Sequence, residues 1–382
     1  MLKSALCLVA PLALLTATPA LAVDEVFDTK DGTRISVKTL AEGLSNPWAI
    51  AFLPQGGMLV TEKPGALRFV GTDGSLSEPI KGVPDVDARS QGGLLDVTVS
   101  PDFATDRKVY LSYAEAGEGG NGTAVARGTL SADQTTLENV EVIFQQKPKV
   151  ASAQHFGSRL VFDREGHLYV TLGERSQEQF RMQAQELDSH LGKIVRINPD
   201  GSVPEDNPFV GKAGALPEIW SYGVRNVQAA AINPATGVLW EIEHGPRGGD
   251  ELNIIQPGAN YGWPVVTLGI NYDGSPVGEG LKTREGMVDA IHTWTPVIAP
   301  SGMVFYDGAE FEGWKGDLFV GGLAATTLVK LELDGDTVTG EERLLESLGL
   351  RIRDVAVGPD GAIYVATDES NGEILRIEKA ED

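Results

Sequence analysis

Between Glu241 and Asn253 the chain reads Glu-Ile-Glu-His-Gly-Pro-Arg-Gly-Gly-Asp-Glu-Leu-Asn, and it continues through Gly258-Ala-Asn-Tyr-Gly-Trp263. Carboxylates, a histidine, a Gly-Pro step and several glycines are crowded between one strand-like run and the next. Hard oxygen donors and free backbone carbonyls in tight turns are what a calcium ion needs. No other stretch is as dense in chemistry.

Four further clusters deserve to be set beside it. His155 lies in Ala153-Gln-His-Phe-Gly-Ser-Arg159, and a neutral imidazole can take a proton near pH 7 while an adjacent acid fixes its tautomer. Arg225-Asn226 closes Ser221-Tyr-Gly-Val-Arg-Asn226, and Arg351-Ile-Arg353-Asp354 places two arginines on one face by strand alternation. Gln91-Gly-Gly93 is the fourth. Singly, each could be a packed or salt-bridged residue. Together with the acidic loop they describe an anionic ligand held by guanidinium forks and a cation. Among the other histidines, His167 reads as a surface residue, and His190 and His292 have no evident polar cluster around them. His244 reads as a bystander of the loop.

These clusters share a position: each precedes one copy of a repeated hairpin. The copies are Trp48–Glu62, Leu94–Tyr113, Ser158–Glu174, Val227–His244, Gly302–Gly322 and Asp354–Asp368. Each is an alternating strand, a turn with Pro, Asp or Gly, and a second strand rich in Tyr, Val, Leu or Phe. Most are followed by another strand such as ALRFV, LGKIVRINPDG or GEILRIE, and helical periodicity is nearly absent. Six such units, of about four strands each, predict an all-β, six-bladed β-propeller. The run Arg34–Leu40 is expected to complete the last blade and close the ring. Residues 114–150, 175–218 and 262–300 read as loops, and function in such a ring gathers on the loops at one end of its channel.

Ahead of the repeats, Lys3, the apolar run Ala5–Leu15 and the small residues Ala20-Leu-Ala22 read as a secretory signal peptide over residues 1–22, and residues 23–382 as one domain. The chain is then expected in the periplasm or outside the cell. Its single cysteine, Cys7, falls in that leader, so no disulfide staples the remainder. The net charge of −23 argues against nucleic acid and anionic membrane surfaces, and no later stretch is apolar enough for membrane insertion.

The motifs GLSNPWAIAF, QGGLLDV, QHFGSRLVF, WSYGVRN, EHGPRGGDELN, GANYGWP, IAPSGM and RIRDVAVGPDG occur in one order between Leu44 and Glu378. In this the chain resembles the soluble pyrroloquinoline quinone (PQQ)-dependent aldose dehydrogenases, the glucose and sorbosone dehydrogenase family of six-bladed propellers. The resemblance implies oxidation of the anomeric carbon of an aldose to the lactone, with hydride passing to PQQ and on to an external electron acceptor. It makes His155 the general base and Glu174 the acid that orients it, where the family tends to have Asp. Gln91 and Arg225 would contact substrate or quinone, Asn226 the cofactor, and Arg351 and Arg353 its carboxylates. The carbonyls of Gly245 and Pro246 would hold a calcium beside PQQ, and Glu251 with the Tyr261 carbonyl a second, structural Ca2+. The protein would be a monomer or homodimer.

Two positions depart from the family's glucose-oxidising members. Their fifth blade carries a cofactor-contacting lysine, whereas Gly321-Gly-Leu-Ala324-Ala325 has none before Lys330, and Gln154 stands before His155 where an acid can occur. Losing one charge-assisted contact is worth about 1–3 kcal/mol. Two other readings stay open: a calcium-dependent propeller lactonase, which would need no arginine cluster, and a non-catalytic propeller that binds sugars or a protein partner.

Overall fold

The structure, a computed structural model, describes residues 22–381; the expected leader lies outside these except for Ala22. Two strands come first, β1 (Asp24–Asp28) and β2 (Arg34–Leu44). Blade one is β3 (Pro47–Phe52), β4 (Met58–Glu62) and β5 (Ala66–Val70). Blade two is β6 (Leu94–Val99), β7 (Lys108–Gly117), β8 (Gly120–Leu130) and β9 (Leu137–Gln145). Blade three is β10 (Leu160–Phe162), β11 (Leu168–Leu172), β12 (Lys193–Ile197) and β13 (Ile219–Tyr222). Blade four is β14 (Val227–Ile232), β15 (Leu239–Glu243), β16 (Asp250–Ile254) and β17 (His292–Trp294). Blade five is β18 (Pro300–Phe305), β19 (Leu318–Gly322), β20 (Thr327–Asp334) and β21 (Thr337–Leu344). Blade six takes β22 (Ile352–Val357), β23 (Ile363–Thr367) and β24 (Gly372–Lys379), and β2 and β1 complete it in the order β1-β2-β24-β23-β22.

The innermost strands β3, β6, β10, β14, β18 and β22 pack successively around the ring, and β22 meets β3 again. The fold is a six-bladed β-propeller. The second strand of five blades is buried along its whole length, as in MLVTE, LYVTL, LWEIE, LFVGG and IYVAT, because blades cover both of its faces. Six buried clusters follow from this, one at each blade–blade interface.

Three expectations need correcting. Blade one has three strands, because the chain after Val70 passes through Pro79 and Pro84, which cannot donate to a ladder, and crosses to blade two through the bridge Lys81–Thr136. Blade six has five, since β1, unforeseen in DEVFD, pairs along β2 from Asp24–Lys38 to Asp28–Arg34. Residues 114–150 are not a loop: β7 and β8 form a long hairpin turning at Glu118-Gly119, with β9 alongside. The glycines of Gly117-Glu-Gly-Gly-Asn-Gly122 hide that strand pair from a propensity reading.

Across the channel lies an ion cluster that touches all six blades. Arg159 Nη1 donates to Asp96 Oδ1 (2.9 Å) and pairs with Asp354 Oδ1 (3.1 Å). Its Nη2 donates to the Ser301 carbonyl (2.9 Å) and its Nε to the Gln228 carbonyl (3.1 Å). Asp354 Oδ2 accepts the Ile50 amide, which brings in blade one, and the Arg159 guanidinium lies 4.6 Å from the Trp48 ring centroid.

Candidate active site

His155 and Glu174 sit at the two ends of the third hairpin. His155 precedes β10 and Glu174 follows β11, so antiparallel pairing returns the acid to the histidine. Glu174 Oε1 lies 2.6 Å from His155 Nδ1 and also accepts the Ser176 amide. His155 is 6 % exposed and Glu174 fully buried. Burial, with Arg225, Arg175 and Arg181 nearby, holds the imidazole well below its usual range. Burial also pushes the Glu174 carboxyl up to about 7, against the opposing pull of Arg225. A neutral ring donating Nδ1–H to the carboxylate leaves Nε2 as the basic atom.

His155 adopts a left-handed backbone, φ +52°, and such strain persists only where the surroundings over-determine it. Two of the expected ligand contacts supply part of that constraint. Gln91, from the approach to blade two, accepts the His155 amide on Oε1 (2.8 Å). Asn226, from the approach to blade four, accepts the Gly157 amide on Oδ1 (3.0 Å). Both side-chain oxygens thus brace the histidine's turn, in bonds that do not engage the NH2 groups of the two amides. Gly173 must be bare: a Cβ there would lie 2.1 Å from the His155 carbonyl oxygen and 2.9 Å from Asn226 Oδ1.

The arginines converge on the same end. Arg225 Nη1 donates to the carbonyls of His244 (2.7 Å) and Gly245 (2.9 Å), and its guanidinium lies 5.2 Å from the Trp263 ring centroid. Arg351 and Arg353 both donate to Asp368 Oδ2, at 2.9 and 2.8 Å, and Arg353 reaches Gln228 Oε1 at 2.9 Å. Asp368 and Gln228 were not foreseen; the only signal was that Asp368 ends the sixth hairpin copy. Two buried donors have no partner in this network, Arg225 Nε and Arg353 Nε. Spare guanidinium capacity at a channel end fits a polycarboxylate such as PQQ.

The acidic loop has two parts, a tight glycine turn and a strand pair beyond it. Gly245 packs against the Gly248 and Gly249 carbonyls, where a Cβ would meet both at 2.2 Å, so the turn gathers oxygen atoms tightly. Beyond it the register of β15 and β16 sets Glu243 opposite Glu251 and Glu241 opposite Asn253, which puts three carboxylates on one face. Burial raises Glu241 and Glu243 well above the usual carboxylate range and Glu251 to about 7. Glu241 Oε2 has no partner, and Glu243 accepts the Arg225 amide. Glu243, Glu251, Tyr261 and Thr267 border a cavity of about 10 Å³, room for one water-sized occupant. Among the described residues no three His, Cys, Asp or Glu side chains converge as a ready-made metal cluster. A bound ion would therefore depend on carbonyls as well as carboxylates, and the donors present are the hard oxygens that calcium prefers.

Two of the other histidines, expected to lack polar surroundings, have polar partners. His190 is fully buried, accepting the Lys147 amide on Nδ1 and meeting Glu218 through Nε2 at 2.9 Å. His292 lies 3.3 Å from Glu341 and edge-on to Trp294. His167 is half-buried against Asp163. Lys330 does not replace the missing fifth-blade lysine: it is buried beside Asp31, Asp317 and Glu332 and over Trp314. At Leu323-Ala324-Ala325 the Leu323 carbonyl instead accepts Arg351 Nη1 (3.2 Å).

The family model for glucose/sorbosone dehydrogenases matches residues 44–376. The chain belongs to that family. It is 48 % identical over 346 residues to the aldose sugar dehydrogenase YliI of Escherichia coli K12, covering 90 % of this chain and 92 % of that protein. A crystal structure of a glucose dehydrogenase, 53 % identical, superposes with a TM-score of 0.87 over 90 % of this chain and 99 % of the other. The PQQ-bound aldose sugar dehydrogenase of Streptomyces coelicolor, 28 % identical, has a TM-score of 0.72 over 90 % and 98 %. No helix among the described residues is long and apolar enough to cross a membrane.

Proposed function

We propose that the protein is an exported quinoprotein dehydrogenase that oxidises the anomeric carbon of an aldose to the lactone and passes the electrons to an external acceptor. The observation that carries this reading is the 2.6 Å His155–Glu174 contact, set among three arginines at one end of the channel. The relative solved with PQQ bound supports the cofactor. Arg225, Asn226, Arg351 and Arg353 would hold PQQ, and the carbonyls of Gly245 and Pro246 the calcium beside it. Glu251 and the Tyr261 carbonyl, with Glu243 in the same cavity, would hold a second calcium.

PQQ, when bound, supplies the hydride acceptor, and calcium supplies Lewis-acid polarisation. The chain's own part is proton management and placement. His155 Nε2 takes the proton of the anomeric hydroxyl, which prevents a high-energy cationic product as hydride leaves carbon. Glu174 keeps Nδ1 protonated and stabilises the imidazolium that forms, as an orienting carboxylate does in other histidine-based sites.

The test uses the purified chain with calcium, PQQ, a panel of aldoses and an artificial electron acceptor. Turnover should appear, and His155→Ala should lower kcat by about 10²–10⁴-fold, the usual worth of a general base. Absence of turnover, or full activity in His155→Ala, would sink the proposal. Hydrolysis of a lactone without quinone would favour the lactonase instead.

A further inference from the structure

We infer that Arg175 is a positioning residue that holds the turn carrying His155; the inference rests on the reading of His155 as the base. Arg175 follows Glu174 directly and is fully buried. Its Nε donates to the Gln154 carbonyl (3.0 Å), and Nη2 to the Ser152 carbonyl (2.9 Å) and Asn121 Oδ1 (2.7 Å). Nη1 donates to the Asn121 carbonyl (3.1 Å). The guanidinium also lies 3.8 Å from the Phe156 ring centroid, and the Arg175 carbonyl accepts Ser152 Oγ (2.6 Å). One side chain thus grips residues 152, 154 and 156, on both sides of His155, and ties them to blade two.

Three features set this arginine apart from an ordinary packed one. No carboxylate lies within ion-pair distance of it among the described residues, so carbonyls and a ring face alone solvate a buried charge. It sits with Ser176 in left-handed backbone, φ +74° and +66°, opposite the equally left-handed His155. Its donors also match a planar fork, which the point charge of a lysine cannot reproduce. The neighbouring positive charge favours the neutral imidazole as well, but the grip on the turn is geometric.

The test compares Arg175→Gln and Arg175→Lys in the full chain, with thermal unfolding to show that each folds. Both variants should lose at least about 10-fold in kcat with KM within about 3-fold, the signature of a misplaced group. In cofactor-free protein, the rate of His155 carbethoxylation by diethylpyrocarbonate, read by peptide mass spectrometry, should change several-fold while the His167 and His292 peptides serve as controls. A folded Arg175→Gln variant with wild-type kcat and carbethoxylation would overturn the inference. So would full recovery of kcat in Arg175→Lys, since charge alone would then suffice. Should neither variant fold, Asn121→Ala removes one acceptor of the fork and must show the same pattern, or the inference falls. Full turnover in His155→Ala would refute the base itself, whereas the carbethoxylation arm reads the brace without any activity.

Discussion

His155 must be both neutral and aimed, and different residues secure the two conditions. Burial and neighbouring guanidiniums hold the imidazole well below its usual range, so the acid limb that His155 itself sets belongs below about pH 6.5, the ordinary histidine value, whereas protonation of Glu174, pushed up to about 7, would lower kcat nearer neutrality. Glu174→Gln should cut kcat by roughly 10²-fold or more, because an amide can favour the wrong tautomer. A pH–rate profile in saturating sugar checks both; in Glu174→Gln only the His155 limb remains, and finding it above about pH 6.5 would contradict the depressed imidazole. His155 and the three arginines could be found from residue type and place before a hairpin, whereas Glu174, at a hairpin's end, was marked only by the family resemblance. Their partners could not. Gln91 meets His155 across 64 residues and Gln228 meets Arg353 across 125, and a glutamine in a single sequence carries no mark of what it will bond.

Within blade four, β15 and β16 set carboxylate opposite carboxylate, an arrangement that is unfavourable without a cation or a proton between them. Folding raises the affinity of these acids for protons, from an unfolded value near 4.3 to about 7 at Glu251. Between those values the folded chain holds protons that the unfolded chain has released, so stability falls as pH rises through that window. A bound calcium would displace those protons and should stabilise most at the alkaline end. At 100-fold over its Kd it would contribute about 2.7 kcal/mol, a Tm rise of several degrees. Thermal melts with calcium and with a chelator at pH 5.5 and pH 8 measure this; a chelator without effect at pH 8 would exclude the ion, and Glu251→Gln should shrink the response. The sequence announced oxygen donors in this loop. It did not announce the register that makes Glu243 face Glu251, since that depends on where β15 stops and the turn begins.

For the molecule as a whole, the repeat was the legible part: all six hairpin copies are the first two strands of their blades. Strand number was less so, because outer strands are half-exposed and weakly patterned, as in β1 and β9. Closure joins the two ends of the chain, with β2 paired along β24 from Ile35–Lys379 to Leu44–Gly372. Deleting residues 22–44 should therefore expose β24 and the Ile35 and Val37 contacts of the last interface. The cooperative thermal transition should broaden or vanish, as calorimetry would show; a truncated chain melting like the full one would mean that the ring does not need its clasp.

Arg159 and its two aspartates have a bearing on traffic. They stand between the mouth where His155 lies and a separate cavity of about 610 Å³ lined by the later residues of the inner strands. Bonded side chains from all the blades thus cross the shaft at this level. Any substrate that reaches His155 and the product formed from it would therefore share one mouth, so product has to clear the threshold before the next turn begins.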